Sequence, residues 1–230
     1  LNRKFLEVLM QSPLFYGITA DALEAVIHCL QPKVYTYSKG SYVTVEGERF
    51  TGLGILLTGK ASVIKENAAG NRIVMSLLTP GDMFGEMFVF STSKIWPLSV
   101  ISQDECQVMF WPSIKIIGTC SKVCANHKQI ISNMLTIVSE KAITLNRKVE
   151  YLAIKGMREK ISTYLLEQYK LTASQTFTIM LNRNDLADFL NVSRTALSRE
   201  MGRMRDEGLI EYYRSSIKIK NLDALTKVVE

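Results

Sequence analysis

Residues 182–210 read NRNDLADFLNVSRTALSREMGRMRDEGLI, two short helices on either side of a tight turn. In the first, Leu186, Ala187 and Leu190 fall on one face and point toward a core. Asn191 tolerates the left-handed backbone that a sharp turn needs, and Val192 is placed to plug the angle between the helices. Ser193 is a good N-cap for the second helix. Beyond it, Leu197, Met201 and Met204 recur at i, i+4 and i+7, which leaves Arg194, Thr195, Ser198, Arg199 and Arg203 on the solvent side. These are residue types that contact phosphates and base edges. A plain alternative is two helices of a larger bundle with a solvated basic face. The following residues argue against it: Gly208 supplies a helix C-cap, Leu209-Ile210 re-enters an apolar strand, and Ser216-Ile217-Lys218-Ile219-Lys220 alternates as a returning hairpin strand does. A helix-turn-helix followed by a hairpin is a winged helix, predicted over 153–230.

Upstream, short β-type runs are interrupted by glycines: 33–37, 42–45, 54–57, 61–64, 73–78 and 107–111. Turn signals sit at Lys39-Gly40, Gly47, Gly59, Ala69-Gly70-Asn71 and Pro80-Gly81-Asp82, so the strands are expected to run antiparallel in a small roll within residues 1–112. Crossover helices are missing, which excludes a parallel sheet.

From Ser113 to Leu152 the pattern changes to apolar or near-apolar residues in steps of three and four, at 117, 120, 124, 127, 131, 134, 138, 142, 145, 149 and 152. A helix of about 35 residues would be on the order of 50 Å long, more than one small domain covers. The stripe therefore predicts a partner helix from a second chain, with packing on its own roll as the alternative. Gly156 breaks this helix before the carboxyl-terminal domain. The fold class expected is α+β.

The chain has 230 residues, 47% of them hydrophobic, enough for one large or two modest cores. A net charge of +6 agrees with a polyanionic partner without demanding one. No apolar run reaches membrane-spanning length, and LNRKFLEVLMQSPLF lacks the character of a secretory signal, so a cytoplasmic protein without a membrane is expected. Cys29, Cys106, Cys120 and Cys124 form no CxxC pair and are expected to be reduced and buried.

In this order, β-roll, long helix and winged helix, the chain resembles the Crp/Fnr family of bacterial transcription regulators over essentially its whole length. The resemblance is carried by Ser12-Pro13-Leu14-Phe15, by Gly54-Ile55-Leu56-Leu57-Thr58-Gly59-Lys60-Ala61 with Pro80-Gly81-Asp82-Met83-Phe84-Gly85-Glu86, and by Asn191 to Arg199. It implies a homodimeric, sequence-specific regulator that reads a near-palindromic operator in double-stranded DNA, with a cyclic-nucleotide-binding-like sensor domain, a possible small-molecule effector and RNA polymerase as a partner. Arg194 and Arg199 match the family's base-reading and phosphate-contacting positions and Ser193 a backbone contact. Thr195 stands where many members have glutamate, which leaves base preference there open.

On the effector side, cyclic-AMP-binding members follow Phe-Gly-Glu about ten residues later with an arginine that neutralises the cyclic phosphate. Here Phe84-Gly85-Glu86 is followed by Trp96-Pro97, with Lys94 as the substitute cation at hand. Burying a phosphate without a cation is costly, so cyclic AMP is not expected. Gly85, Glu86 and Trp96 are effector-site candidates; the first two can equally be a turn of the roll, and Trp96 with Met87, Phe88 and Phe90 either an apolar pocket or plain core. An iron–sulfur cluster is not expected with only Cys29 before residue 100, nor is haem or another metal with His28 and His127 as the only histidines. Cys120 and Cys124 share a helix face, and whether they have a redox role stays open. Two other functions were weighed: a sensor acting on a protein partner, which leaves the exposed arginines unexplained, and a cupin-like metal enzyme, which the histidine-free roll does not support.

Overall fold

The computed structural model describes residues 2–67, 72–118 and 125–229. They form two compact units, Leu1–Glu140 and Lys141–Glu230. The turn expected at Ala69-Gly70-Asn71, together with Cys120 and Cys124, lies outside the described residues; of the other two cysteines, Cys106 is buried as expected and Cys29, near the end of the second helix, is exposed.

In the first unit, helices α1 (Arg3–Gln11) and α2 (Ala20–Leu30), with a 3-10 turn at Pro13–Phe15, precede the roll. Its strands are β1 (Lys33–Tyr37), β2 (Tyr42–Thr44), β3 (Gly52–Thr58), β4 (Ala61–Glu66), β5 (Arg72–Leu78), β6 (Met83–Phe84), β7 (Ser99–Ser102) and β8 (Cys106–Pro112). They make two four-stranded antiparallel sheets, ordered β1-β8-β3-β6 and β2-β7-β4-β5. Gly40, Gly47, Gly59 and Gly81 all take positive φ, and at Gly59 an added Cβ would lie 2.4 Å from the carbonyl of Glu105. The six runs read from the sequence are all strands. The two-residue β6 and the four-residue β7 are additional, too short for alternation to register. Strand β3 is buried almost throughout, and Phe15 packs on Trp111 at 5.2 Å between ring centroids, so the amino-terminal segment closes one face of the roll.

The helix expected to run unbroken from Ser113 is not one piece. A short helix α4 (Ser113–Ile117) ends at Gly118, which adopts an extended conformation, and α5 occupies Ala125–Ala153. The apolar stripe also divides. Ile130 and Met134 belong to the core of the roll, and His127 is buried with Nε2 2.7 Å from the carbonyl of Ile116. Asn133 Nδ2 donates to the carbonyls of Leu14 and Tyr16, both at 2.8 Å. His127 and Met134, read from the sequence as facing a second chain, are thus inner residues of their own unit. Farther along, Leu135, Ile143, Leu145, Val149 and Leu152 are each more than half exposed.

In the second unit, α6 (Met157–Thr172) starts at Gly156 and β9 (Thr176–Thr178) follows. Then come α7 (Arg183–Phe189), α8 (Arg194–Asp206), β10 (Ile210–Tyr213), β11 (Ser216–Ile219) and α9 (Leu222–Lys227). The sheet runs β10-β11-β9, with Ile210 opposite Ile219 and Tyr213 opposite Ser216. Its core joins Ile161, Leu165, Leu186, Leu190, Leu197, Met201, Met204 and Ile217.

Candidate nucleic-acid interface

Helix α7 is capped by the side chain of Asn182, which accepts from the amides of Asn184 and Asp185. The chain then turns through Asn191 at φ 52°, the left-handed conformation anticipated for it. The amide of Val192 donates to Ala187 O at 2.9 Å, and Val192 packs partly buried on the core. Ser193 Oγ accepts from the amide of Ala196 at 3.2 Å and caps α8. At the other end Gly208, at φ 75°, donates to Arg205 O while Leu209 donates to Met204 O, both at 2.9 Å. This pair of bonds is the Schellman arrangement that stops a helix.

Leu197, Met201 and Met204 are each at most 1% exposed, so α8 is fixed in rotation by its inner face. Ser193, Arg194, Thr195, Ser198, Arg199 and Arg203 are all exposed. They differ in their partners. Among the described residues, Arg194 and Arg199 have no ion pair. Arg203 is held by Glu200 Oε2 at 3.3 Å, and Ser193 Oγ is 3.2 Å from Thr195 Oγ1.

Several residues that support this face were not read from the sequence. Arg158 on α6 reaches Glu200 Oε1 at 2.6 Å and grips both carboxylate oxygens of Glu207, at 2.6 and 2.8 Å. Donating hydrogen bonds to Glu207 and then to Glu200 pushes the Arg158 guanidinium pKa up, and accepting from Arg158 holds the Glu207 carboxyl below its ordinary range. Arg183 lies over the ring of Tyr212 at 5.1 Å, with a side-chain contact to Met201 Sδ, and burial lowers its pKa. Lys160 is buried and donates to the carbonyl of Leu190 at 3.1 Å. Its position in the stripe of Met157, Ile161, Tyr164 and Leu165 was the available signal, a lysine on an apolar helix face. Arg214, at φ 55° in the hairpin turn, lies over the ring of Tyr213 at 5.4 Å.

In the roll, Gly85 has φ 84° and precedes a four-residue helix, α3 (Glu86–Val89). A Cβ on Gly85 would come 2.8 Å from the ring of Trp96, so glycine is required there by both backbone and space. Trp96 is 5% exposed and packs on Phe50 at 4.7 Å and Phe84 at 6.0 Å. The expected grouping of Trp96 with Met87, Phe88 and Phe90 forms only in part and as plain core, with Phe88 packing on Phe50 at 6.3 Å. Trp96 joins Phe50 and Phe84, while Met87 and Phe90 are 51% and 41% exposed. Glu86 is 5% exposed. Lys94 Nζ donates to Ser91 O at 3.1 Å.

With a capped two-helix motif, a three-stranded wing and an antiparallel roll in place, comparison with known proteins is decisive. Residues 159–228 match the family model for the Crp-like helix-turn-helix domain, and residues 34–122 match that for the cyclic nucleotide-binding domain. The chain belongs to the Crp/Fnr family of transcription regulators. It is similar to the CRP-like cAMP-activated global transcriptional regulator of Mycobacterium tuberculosis, 21% identical over 96% of this chain and 98% of that one. It is also similar to the cyclic AMP receptor protein of Thermus thermophilus, 19% identical over 94% and 96%. Among solved structures, the Thermus thermophilus catabolite activator protein shares the fold, with a TM-score of 0.55 and 17% identity over 95% of this chain and 98% of that one. This Crp/Fnr regulator is a DNA-binding protein and not an enzyme. No described helix is long and apolar enough to cross a membrane.

Proposed function

We propose that this Crp/Fnr regulator acts in the cytoplasm as a homodimer that reads a near-palindromic operator through Ser193, Arg194, Thr195, Ser198, Arg199 and Arg203. The observation that carries this reading is the partition of α8. Three buried side chains lock its rotation, and Arg194 and Arg199 stand exposed on the outer side, without an ion pair among the described residues. Free guanidiniums on a rigid helix meet guanine edges or phosphates with little ordering cost. The exposed side chains of Leu135, Leu145, Val149 and Leu152, with Val138 and Ala142, follow steps of three and four and support pairing with a second copy. We read 1–112 as sensor, 113–152 as the pairing segment and 153–230 as the DNA-binding domain. RNA polymerase is the protein partner of this reading.

The effector is read as a small molecule other than cyclic AMP. Where a cationic side chain would meet a cyclic phosphate, Trp96 is buried against Gly85, and the ammonium of Lys94 is turned onto a backbone carbonyl. A phosphate there would lose its hydration without an arginine at position 96 to meet it.

Selection of duplexes from random sequence, followed by anisotropy at rising salt, tests the reading. A palindromic consensus is expected, with affinity falling steeply as salt rises because several phosphates are neutralised per dimer. Retention of no duplex at low salt would overturn it in favour of a sensor acting on a protein partner. Saturable binding of cyclic AMP would overturn the effector reading alone.

A further inference from the structure

A cavity of about 440 Å³ opens in the roll between β1 and β2. These strands form one edge of the two sheets, and β6, which leads into Gly85 and Glu86, lies at the opposite edge. The cavity is therefore a separate opening from the effector motif, although Trp96 touches both: it lines the cavity and sits against Gly85. The volume falls within the range of small-molecule sites.

Its chemistry is specific. Tyr35 and Phe110, in edge contact at 6.0 Å between centroids, make an aromatic wall with Trp96. Lys33 and Arg49 line the same space, and neither has an ion pair among the described residues. Glu48 is the single carboxylate in the lining, so two cations face one anion. Thr44 also lines it, 6% exposed, and its Oγ1 is buried without a hydrogen-bond partner among the described residues. That hydroxyl offers no accessible surface to the cavity, so recognition falls to the aromatic wall and the two cations.

We propose that this cavity binds a small aromatic monocarboxylate. Its ring lies along Tyr35, Phe110 and Trp96, and its carboxylate pairs with Arg49 and Lys33. The excess of one positive charge favours a monoanion over a phosphate dianion. Guanidinium and carboxylate are matched in geometry, and the wall gives the ring a dry face.

The test is calorimetric titration of the full chain with benzoate as the probe, with inorganic phosphate as competitor. One saturable site per chain is expected, weakened roughly tenfold or more in Arg49→Ala and severalfold in Lys33→Ala. Phosphate at the same concentration should leave benzoate binding unchanged. Arg49 and Lys33 are both exposed, so their replacement leaves the core intact and keeps both arms decisive. Absence of saturable binding, equal binding in Arg49→Ala, or displacement of benzoate by phosphate would each overturn the proposal.

Discussion

The ammonium of Lys160 on α6 donates to the carbonyl of Leu190, the C-cap of α7, at 3.1 Å inside the protein. The carbonyl belongs to the residue just before the left-handed turn at Asn191, where a helix leaves its last acceptors unsatisfied. A cation at that end also meets the negative pole of the helix. Replacing Lys160 by methionine strands a buried acceptor and is expected to lower unfolding free energy by about 1–3 kcal/mol, read by urea titration. Unchanged stability would mean that the cost of burying the ammonium cancels its bond.

Arg199→Ala and Arg194→Ala are expected to weaken specific operator binding by about 1–3 kcal/mol each. Melting temperature and oligomeric state should not change, because both side chains are exposed and make no ion pair among the described residues. Arg203→Ala is expected to have the smaller effect, since its guanidinium is shared with Glu200. Anisotropy with native mass measurement separates loss of contact from loss of assembly.

Placing glutamate at both Leu145 and Val149 puts charges on exposed apolar positions of α5. If these positions meet a second copy, the double variant sediments as a folded monomer. A variant that still sediments as a dimer would rule out this face as the seam.

The contribution of the Arg158–Glu207 pair should depend on pH in one direction. The Glu207 carboxyl is held below its unfolded value, so the stabilisation is complete above that value, near pH 4.5, and disappears as pH falls through the lower folded value. The melting temperatures of wild type and Glu207→Gln should therefore differ at neutral pH and converge in acid. A gap that widens on acidification would contradict this assignment.

Periodicity reached far into the fold. The alternation of Ser216 to Ile219, the i, i+4, i+7 spacing of Leu197, Met201 and Met204, and the glycine stops all correspond to observed elements, because each reports a condition that one strand or helix meets alone. The same local rule failed at β6 and β7, which are short, and at the stripe from Ser113. Spacing says that a face is apolar without saying what covers it. His127 and Met134 turn to the roll, whereas Leu145 and Val149 do not.

The outward arginines of α8, the cap at Ser193 and the turn at Asn191 were thus legible in the residues alone. Folding decided which of those arginines are free, that Trp96 closes on Gly85, that Lys160 secures Leu190, and that Thr44 borders an aromatic, cationic cavity. Apart from the pair of Glu200 and Arg203, three residues apart, those facts join groups from 11 residues apart, for Gly85 and Trp96, to 66 apart, for Thr44 and Phe110. Hydrogen bonds and ring contacts act over a few ångströms in space, and the chain's order carries no record of which distant groups will meet.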